Sequence, residues 1–345
     1  MARTQVSFAS FNLLNSNLPN LPMYNNQAGW APEIYDKKIA WSAAMLHIMR
    51  ADVWGFQELW HQQALIDLFE RAGLANEYTL LVPEGHAGAR IVCGGAVRND
   101  ILDSEPTWIA DFPEKFKLAS QGDDAQTPEI AVLVNKFSRP LLHFQIKPRA
   151  RGKAISVYVV HLKSKAPAKV YEEDWYKEEK HYYSKHSSTL GAALATIRRT
   201  AEATALRMIL TEEMKGNENP VVVLGDLNDG QLSNTLNILT GQPTYLLSGL
   251  STGGSDTALY TAGTLQEYRS LRSVYYTHIH QHVHESLDHI MVSQEFYDNS
   301  RKREWAFKGM EVSNDHLNQD DHKDSGTSDH GVVRATFEYR PVKAL

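Results

Sequence analysis

The stretch that decides the fold prediction is VVVLGDLND, residues 221–229. Its four apolar residues, three of them β-branched, predict a short buried strand. Gly225 follows, and without a Cβ it allows backbone conformations that other residues rarely adopt. Polar residues come next, at Asp226, Asn228 and Asp229. In an extended chain the side chains of Asp226 and Asn228 point the same way, and a carboxylate beside an amide suits a hydrated hard cation or a phosphate oxygen. Taken alone, the stretch is equally compatible with a strand followed by an Asx turn.

Composition indicates a soluble globular protein. The chain has 345 residues, 42% hydrophobic and 22% charged, which is enough for one large α/β domain or two smaller ones. No apolar run approaches the ~20 residues that span a bilayer. The first residues enter a strand-like segment without a signal peptide, so we expect a cytoplasmic protein with no membrane association. Cys93 is the only cysteine, which excludes intrachain disulfides and cysteine-cluster zinc sites.

Charge is distributed unevenly along the chain. The net charge of −6 argues against a protein that coats nucleic acid by bulk attraction. Residues 134–207, however, carry fifteen Lys and Arg against six Asp and Glu. An acidic body with one basic stretch fits an enzyme that uses carboxylates for a metal and cations for a polyanionic substrate. A solvated surface is the other interpretation of such a stretch.

Hydrophobic periodicity predicts an alternation of strands and helices. Helical spacing covers residues 33–49, 61–72 and 190–214, and the clearest strands are predicted at 5–14, 52–59, 129–137, 154–165, 286–293 and 332–339. We find no internal repeat and no linker that would divide the chain, so residues 1–345 are expected to form a single catalytic domain. A charged, tyrosine-rich insertion at about 166–188 is predicted to lie on the surface, either as a solvated helix or as a lid whose aromatic rings stack on bases.

A histidine-rich patch, THIHQHVHES, covers residues 277–286. If it forms one strand, its alternating histidines share a face and are candidate ligands for a transition metal. No neighbouring cysteine or carboxylate completes an obvious tetrahedron in the sequence. The histidines concerned are His278, His280, His282 and His284.

The remaining polar clusters share one property, which is that each lies at one end, either the start or the finish, of a predicted strand. They are Asn12, Glu58, His161, Asp226 with Asn228, Asp288, and Asp329 with His330. The carboxylates are hard oxygen donors for Mg²⁺ or Mn²⁺, and they would repel one another without a divalent cation. A histidine beside an aspartate is a general acid or base at neutral pH. This inventory suits metal-assisted hydrolysis of a phosphoester.

The order FN…QE…HLKSK…GDLND…LDH…SDH, over residues 5–338, resembles the endonuclease/exonuclease/phosphatase superfamily, which includes pancreatic deoxyribonuclease and exonuclease III. The resemblance implies an α/β fold, a four-layer α/β/β/α sandwich of two packed, mostly antiparallel sheets with helices on both outer faces. It implies that Glu58 is the principal metal ligand, with Asn12 close by and Asp329 as a further carboxylate of the metal site. Some family members carry an aspartate where this chain has Leu14, so no second metal-binding carboxylate is expected there.

The resemblance also implies catalytic roles. Asp226 would orient or deprotonate the attacking water, and Asn228 would contact the phosphate. His161 would contact the scissile phosphate and protonate the leaving oxygen. His330 would be the second catalytic histidine, oriented by Asp288.

Substrate contacts are implied for Lys163, Lys165 and Arg199, although a surface salt bridge is an equal alternative for Arg199. A nuclease that hydrolyses DNA, or RNA, is the favoured function. The alternative is a phosphatase or phosphodiesterase for a small molecule or lipid headgroup, and fold-level analogy does not choose between them. A binding protein with a degenerate site is disfavoured because every expected catalytic position is filled. No obligate protein partner is indicated.

Overall fold

Two six-stranded β-sheets packed face to face form the centre of the protein. The computed structural model describes residues 3–24, 28–122, 127–245, 253–270, 275–319 and 321–342. The strands are β1 (Gln5–Ser16), β2 (Val53–His61), β3 (Tyr78–Leu81), β4 (Ala87–Arg98), β5 (Thr107–Asp111), β6 (Leu118–Ser120), β7 (Ile130–Val132), β8 (Lys136–Ile146), β9 (Ile155–His161), β10 (Val221–Asp226), β11 (Tyr260–Thr261), β12 (His278–His280), β13 (Val283–Glu285), β14 (Asp288–Val292), β15 (Trp305–Ser313) and β16 (Val332–Tyr339). The α-helices are α1 (Pro32–Met49), α2 (Gln62–Arg71), α3 (Asp174–Glu178), α4 (Lys180–Tyr183), α5 (Ser187–Met214), α6 (Asn234–Thr240), α7 (Ala262–Glu267) and α8 (His322–Ser325).

The two large sheets have related topologies. The strand order is β15-β16-β1-β2-β4-β3 in the first and β11-β14-β10-β9-β8-β5 in the second. Each has one parallel pair near its centre, β1 with β2 and β9 with β10, and the other pairings are antiparallel. The sequence-based prediction of an α/β fold with two packed, mostly antiparallel sheets is therefore confirmed.

Strand alternation sorts the apolar side chains into layers. Phe8 points into the core between the sheets, while its neighbour Ala9 packs in the outer core of the first sheet, beneath α1 and α2. Along β10, Leu224 faces the inter-sheet core and Val223 faces the outer core beneath α5 and α6. This period of two buries both faces of each sheet and produces the four layers.

Gly225 and Gly55 are required by close approach of neighbouring chains. A Cβ at Gly225, whose φ is +149°, would lie 1.9 Å from the carbonyl oxygen of Val160 on the neighbouring strand. A Cβ at Gly55 would lie 2.2 Å from Cδ1 of Leu224 across the inter-sheet core. The glycine in the GDLND motif thus serves strand packing, which brings β10 against β9 directly beside the polar cluster.

Strand direction brings the predicted polar clusters to one edge of the sandwich. Asp226 is in register with His161 on the parallel strand β9 and with Asp288 at the start of the antiparallel strand β14. In the first sheet, β1 and β2 run parallel, so Asn12 lies beside the end of β2. Because parallel strands end, and antiparallel neighbours begin, at the same edge, these groups meet there.

Two local predictions were wrong. The strand predicted at 129–137 is split. Among the described residues Ile130–Val132 pairs with Leu118–Ser120 in a small two-stranded sheet, and the strand of the large sheet is Lys136–Ile146. The histidine-rich patch is a hairpin of β12 and β13, with a turn at Gln281 and His282, both at positive φ. His284 pairs with Ile279, so it lies on the face opposite His278 and His280.

The insertion at 166–188 forms short helices, including α3, α4 and the start of α5. Its aromatic rings cluster, with Trp175 4.9 Å from Tyr183 between centroids, and Trp175 and Tyr182 remain exposed. Among the described residues, none of the helices combines the length and the hydrophobicity of a membrane-spanning segment.

Candidate active site

Asp226 lies at the centre of the polar edge. Its Oδ2 accepts a hydrogen bond from Nδ2 of Asn12 at 3.1 Å, which joins the two sheets, and Nε2 of His161 lies 3.5 Å from the same oxygen. Its Oδ1 accepts the backbone N–H of Asn228 at 2.7 Å. Burial raises the pKa of Asp226 from 3.8 to about 7, while the charge of His330 opposes the rise. The carboxyl group thus titrates near neutrality, where a general base is most effective.

His330 and Asp288 form a buried hydrogen-bonded pair. Nδ1 of His330 lies 2.8 Å from Oδ2 of Asp288, and its Nε2 lies 3.9 Å from Oδ2 of Asp226. The backbone N–H of His330 donates to Oγ of Ser328 at 3.0 Å, which fixes the backbone. Burial alone would lower the pKa of His330, but Asp288 and Asp226 raise it well above 6.5. The ring is therefore an imidazolium at neutral pH.

His161 has the opposite charge state. Burial, together with the positive charges of Arg139 and His330, holds its pKa well below 6.5, so the ring is neutral. Its Nδ1 is buried and has no hydrogen-bond partner among the described residues. The two histidines that lie nearest Oδ2 of Asp226 thus differ in charge because their surroundings differ.

Glu58 is presented by irregular backbone. Its φ is +60°, and Leu14 and Asn15 on the adjacent strand have φ of +48° and +51°. The β1–β2 pairing shifts register between Asn12 and Ser16 at this level. The Glu58 carboxylate accepts the N–H of Asn15 at 2.9 Å. Bulges and left-handed residues at strand ends re-aim side chains at functional sites, and this geometry turns Glu58 toward the polar edge.

Several carboxylates crowd this edge, and the cationic His330 and Lys38 offset part of their charge. Burial raises the pKa of Glu58, and the charge of Asp329 raises it further. Oδ1 of Asp288 is buried without a hydrogen-bond partner in the described part of the chain. The ligand atoms of Asp226, Asp288 and His330 lie within 4.8 Å of one another, and so do those of His278, Asp329 and His330. A donor set rich in buried oxygen ligands, whose members repel one another, fits a divalent cation.

Three of the predicted substrate contacts are occupied by internal partners. Nζ of Lys163 donates to its own loop at the carbonyl oxygens of Ser164 and Ala166, at 3.2 and 3.1 Å. Nζ of Lys165 lies 2.5 Å from Oε1 of Glu285. Arg199 is buried, and its Nε lies 3.3 Å from Oδ2 of Asp229. The salt bridge of Arg199 is thus inside the protein, where it fixes the loop after β10.

Asn228 also makes an internal contact. Its Nδ2 donates to the carbonyl oxygen of Leu162 at 3.1 Å, and its φ is +53°. The contact ties the loop after β10 to the end of β9. The two strand ends that carry Asp226 and His161 are therefore held together by side chains as well as by the sheet.

Sequence reasoning missed three residues of this region. Arg139 on β8 donates from Nη1 to the carbonyl oxygen of Leu162 at 3.0 Å, and no carboxylate among the described residues pairs with it. Buried Lys38 donates to the carbonyl oxygen of Leu13 at 2.8 Å; burial lowers its pKa to about 8, although Asp329 and Glu58 favour its charged form. Buried Glu202 is the third, while half-buried His278, which the sequence had offered as a candidate transition-metal ligand, also lies at this edge. Lys38 and Glu202 stand on the apolar faces of helices, and a charged residue at such a position is the sequence pattern that could have identified them.

The basic stretch of the sequence is divided between two edges. Its loop at residues 147–153 precedes β9, whereas His161 ends that strand, so the loop lies at the edge away from the site. There Lys153 pairs with Glu218 at 2.9 Å and Arg149 stacks on Tyr339 at 3.8 Å. Only part of the excess positive charge of residues 134–207 can therefore act near the polar edge.

Comparison with known proteins gives structural matches alone. No protein-family model matches the sequence, and no curated protein matches it either. An endonuclease/exonuclease/phosphatase from Bacteroides vulgatus is 17% identical with a TM-score of 0.54, over 98% of this chain and 100% of that one. D. rerio TDP2, solved with a single-strand DNA product, is 16% identical with a TM-score of 0.54, over 97% and 100%. A mannosyl-6-phosphatase from Bacteroides thetaiotaomicron is 14% identical with a TM-score of 0.52, also over 97% and 100%.

These matches cover nearly the whole chain; one of the proteins holds a single-strand DNA product, and another is named as a mannosyl-6-phosphatase. The substrate of this chain therefore does not follow from them. The chain has the fold of the endonuclease/exonuclease/phosphatase proteins, as the order of its polar motifs predicted.

Proposed function

We propose that the protein is a divalent-metal-dependent phosphodiesterase, and that its substrate is nucleic acid, with DNA favoured. The observation that carries the proposal is the convergence at Asp226. A carboxyl group with a pKa of about 7 is flanked by a neutral and a cationic histidine and bonded to an amide from the opposite sheet. Hydrolysis of a phosphodiester needs a base for water and positive charge for the phosphoryl oxygens, and this arrangement supplies both.

Glu58, Asn12 and Asp329 are the residues that would hold Mg²⁺ or Mn²⁺. Carboxylate and amide oxygens are the donors these cations take. When bound, the cation supplies positive charge to the phosphoryl group and the leaving oxygen. Lys38 lies beneath these residues, and its charge partly offsets their negative charge in the absence of a metal.

Asp226 orients and deprotonates the attacking water. The hydrogen bonds from Asn12 and Asn228 hold both oxygens of the Asp226 carboxylate in place, so the carboxylate accepts a proton from one fixed direction. His330, held by Asp288, contributes a positive charge. This charge stabilises the transition state more than the bound substrate, because negative charge develops on the phosphoryl oxygens during the reaction. His161 is neutral, so it acts as a hydrogen-bond donor to a phosphoryl oxygen or the leaving oxygen.

Two features favour nucleic acid as the substrate. The insertion that follows β9 in the chain exposes Trp175 and Tyr182, and exposed aromatic rings can stack on bases. Arg139 adds a cation without a carboxylate partner among the described residues. We infer further that residues 1–345 act as one catalytic domain, because the candidate site uses side chains from Asn12 to His330.

A small-molecule or lipid-headgroup phosphoester is the second candidate. The internal pairing of Lys163, Lys165 and Arg199 favours it, since these cations are less available to a phosphate backbone than the sequence suggested. The position of the basic loop 147–153 at the far edge favours it as well.

The test is a cleavage assay with three nucleic acids: supercoiled plasmid, linear duplex and a single-stranded oligonucleotide, each with Mg²⁺, Mn²⁺ or EDTA. We expect cleavage that EDTA abolishes. Glu58→Gln, Asp226→Asn and His330→Ala should each lower the rate by at least ~10²-fold, as expected for loss of a base or an electrostatic group.

Asp52→Asn is the matched control. Asp52 precedes β2 and bonds Ser7 at the edge opposite Glu58, so its loss should leave the chemical rate unchanged. If all three nucleic acids stayed intact while Glu58→Gln abolished hydrolysis of a small phosphoester, the second candidate would replace the first. Full activity in Glu58→Gln or Asp226→Asn would contradict both.

A further inference from the structure

The hairpin of β12 and β13 places a histidine against the candidate active site. It forms a separate two-stranded sheet outside the two large ones, and an isolated β-bridge joins His278 to His330. The two rings lie 5.0 Å apart between centroids. Ligand atoms of His278, Asp329 and His330 all lie within 4.8 Å of one another.

This position is fixed by hydrogen bonds rather than by loop contacts alone. Gly331 donates its N–H to the carbonyl oxygen of Thr277 at 2.7 Å. Leu287 and Asp288 donate theirs to Oγ1 of Thr277, at 2.9 and 3.1 Å. The residue directly before His278 is thus bonded to the starts of β14 and β16, the strands that carry the His330–Asp288 pair. His278 is held in place beside His330 before any ligand arrives.

The donor set differs from that of the Glu58 site. Two imidazoles and one carboxylate are the ligands that Zn²⁺ and similar transition metals take, whereas Mg²⁺ prefers oxygen donors. Nδ1 of His330 is bonded to Asp288, which leaves Nε2 for a metal. A carboxylate behind a ligating histidine is the usual second partner of such a ligand, since it fixes the tautomer and the ring orientation.

We propose that His278, Asp329 and His330 form a second metal site, which overlaps the first at Asp329 and takes a transition metal such as Zn²⁺, and that its occupation inhibits the enzyme. A metal that binds Nε2 of His330 displaces the proton that the imidazolium carries there, and this proton is released to solvent. The metal then occupies the nitrogen that faces Asp226, so the ring no longer offers its own charge and N–H to the substrate. Asp329 is shared with the residues that would hold Mg²⁺, so occupation also weakens that set. The inhibition, unlike the binding, rests on the proposed function.

Binding is measured without reference to activity. Untagged protein is titrated with Co²⁺, a spectroscopic substitute for Zn²⁺, and the visible absorption of a low-coordinate Co²⁺ site is followed before displacement by Zn²⁺. We expect one such site in the wild-type protein, and an affinity at least ~10-fold lower in His278→Gln, since even loss of an outer-shell partner costs that much. Mg²⁺ at equal concentration should not displace Co²⁺.

His284→Gln is the matched control. It removes an exposed histidine from the same hairpin but from the opposite face, so it should bind Co²⁺ as the wild type does. Equal Co²⁺ binding by the wild type and His278→Gln would overturn the proposal, and so would loss of binding in His284→Gln. Circular dichroism of each variant checks the fold, and His278→Asn serves as a second substitution at the same position.

Inhibition is then measured with Mg²⁺ and increasing Zn²⁺. We expect Zn²⁺ to inhibit the wild type and His284→Gln alike, and His278→Gln to need at least ~10-fold more Zn²⁺. Equal inhibition of all three would place the inhibitory metal elsewhere and refute the regulatory half. Absence of any phosphoester hydrolysis by the wild type would instead refute the proposed function, and the Co²⁺ titration would still decide the site.

Discussion

Glu202 gives a prediction that depends only on the tertiary structure. It stands on the buried face of α5 and is 1% exposed. Oε1 accepts the backbone N–H of Ser138 at 2.9 Å as well as its hydroxyl, and Oε2 accepts the backbone N–H of Lys163 at 2.8 Å. One side chain therefore ties β8, beside Arg139, to the end of β9, beside His161.

The expected cost of Glu202→Ala follows from these bonds. Hydrogen bonds to a charged group contribute about 1.5–3 kcal/mol each, and a buried donor left without a partner costs about 1–3 kcal/mol. Ser138 is exposed, so water replaces part of what its amide loses. We therefore expect a loss of about 2–4 kcal/mol in the free energy of unfolding. Glu202→Gln should lose about half as much, because one acceptor oxygen remains and the amide nitrogen faces another donor.

Urea unfolding followed by circular dichroism measures this loss from the shift in midpoint at unchanged slope. Glu213→Ala is the matched control. Glu213 lies on the same helix, but among the described residues its carboxylate accepts a single hydrogen bond, from the hydroxyl of Ser156 at 2.9 Å, so its loss should cost less than about 1 kcal/mol. Equal destabilisation by the two substitutions would refute the inference that Glu202 holds β8 and the end of β9 together. We also expect a lower kcat in Glu202→Ala, with the Gln variant intermediate.

Three further predictions concern the charges at the site. Arg139→Gln should lower kcat/KM by at least ~10-fold, because it removes a half-buried cation near the proposed phosphate position. Arg139→Lys should recover part of the lost activity. Equal kcat/KM in the wild type and both variants would show that Arg139 has no role in the reaction. Asp288→Asn should lower the pKa of His330, since Asp288 is the strongest of the charges that raise it. NMR titration of the His330 ring measures this pKa. An unchanged pKa in the variant would show that the His330–Asp288 pair does not form in solution. Asp226→Asn should stabilise the protein in EDTA at pH 8. The folded carboxyl group, with a pKa of about 7 caused first by burial, keeps its proton longer than the unfolded one, so wild-type stability falls as pH rises from about 4 to about 7. Thermal unfolding of both proteins across this range should show that slope in the wild type and its loss in the variant; parallel curves would contradict it.

The sequence alone determined the order of the polar motifs and the main strands and helices that carry them. Strand periodicity and the residues that follow each strand are local properties, and one edge of a sheet collects the ends of parallel neighbours whatever the details of packing. This is why Asn12, His161, Asp226 and His330 could be assigned to one place before the fold was known.

Only the tertiary structure decided which side chains are available at that place. Lys165 and Arg199 have internal partners, and the basic loop at 147–153 lies at the far edge, because the charge of a stretch does not reveal which end of a strand it follows. Arg139 stands inside a strand that the apolar pattern did not predict. The histidine-rich patch turns back at Gln281 and His282, and this turn sends His278 toward His330 and His284 away from it. Such placements depend on contacts between residues far apart in the chain, and no local pattern encodes them.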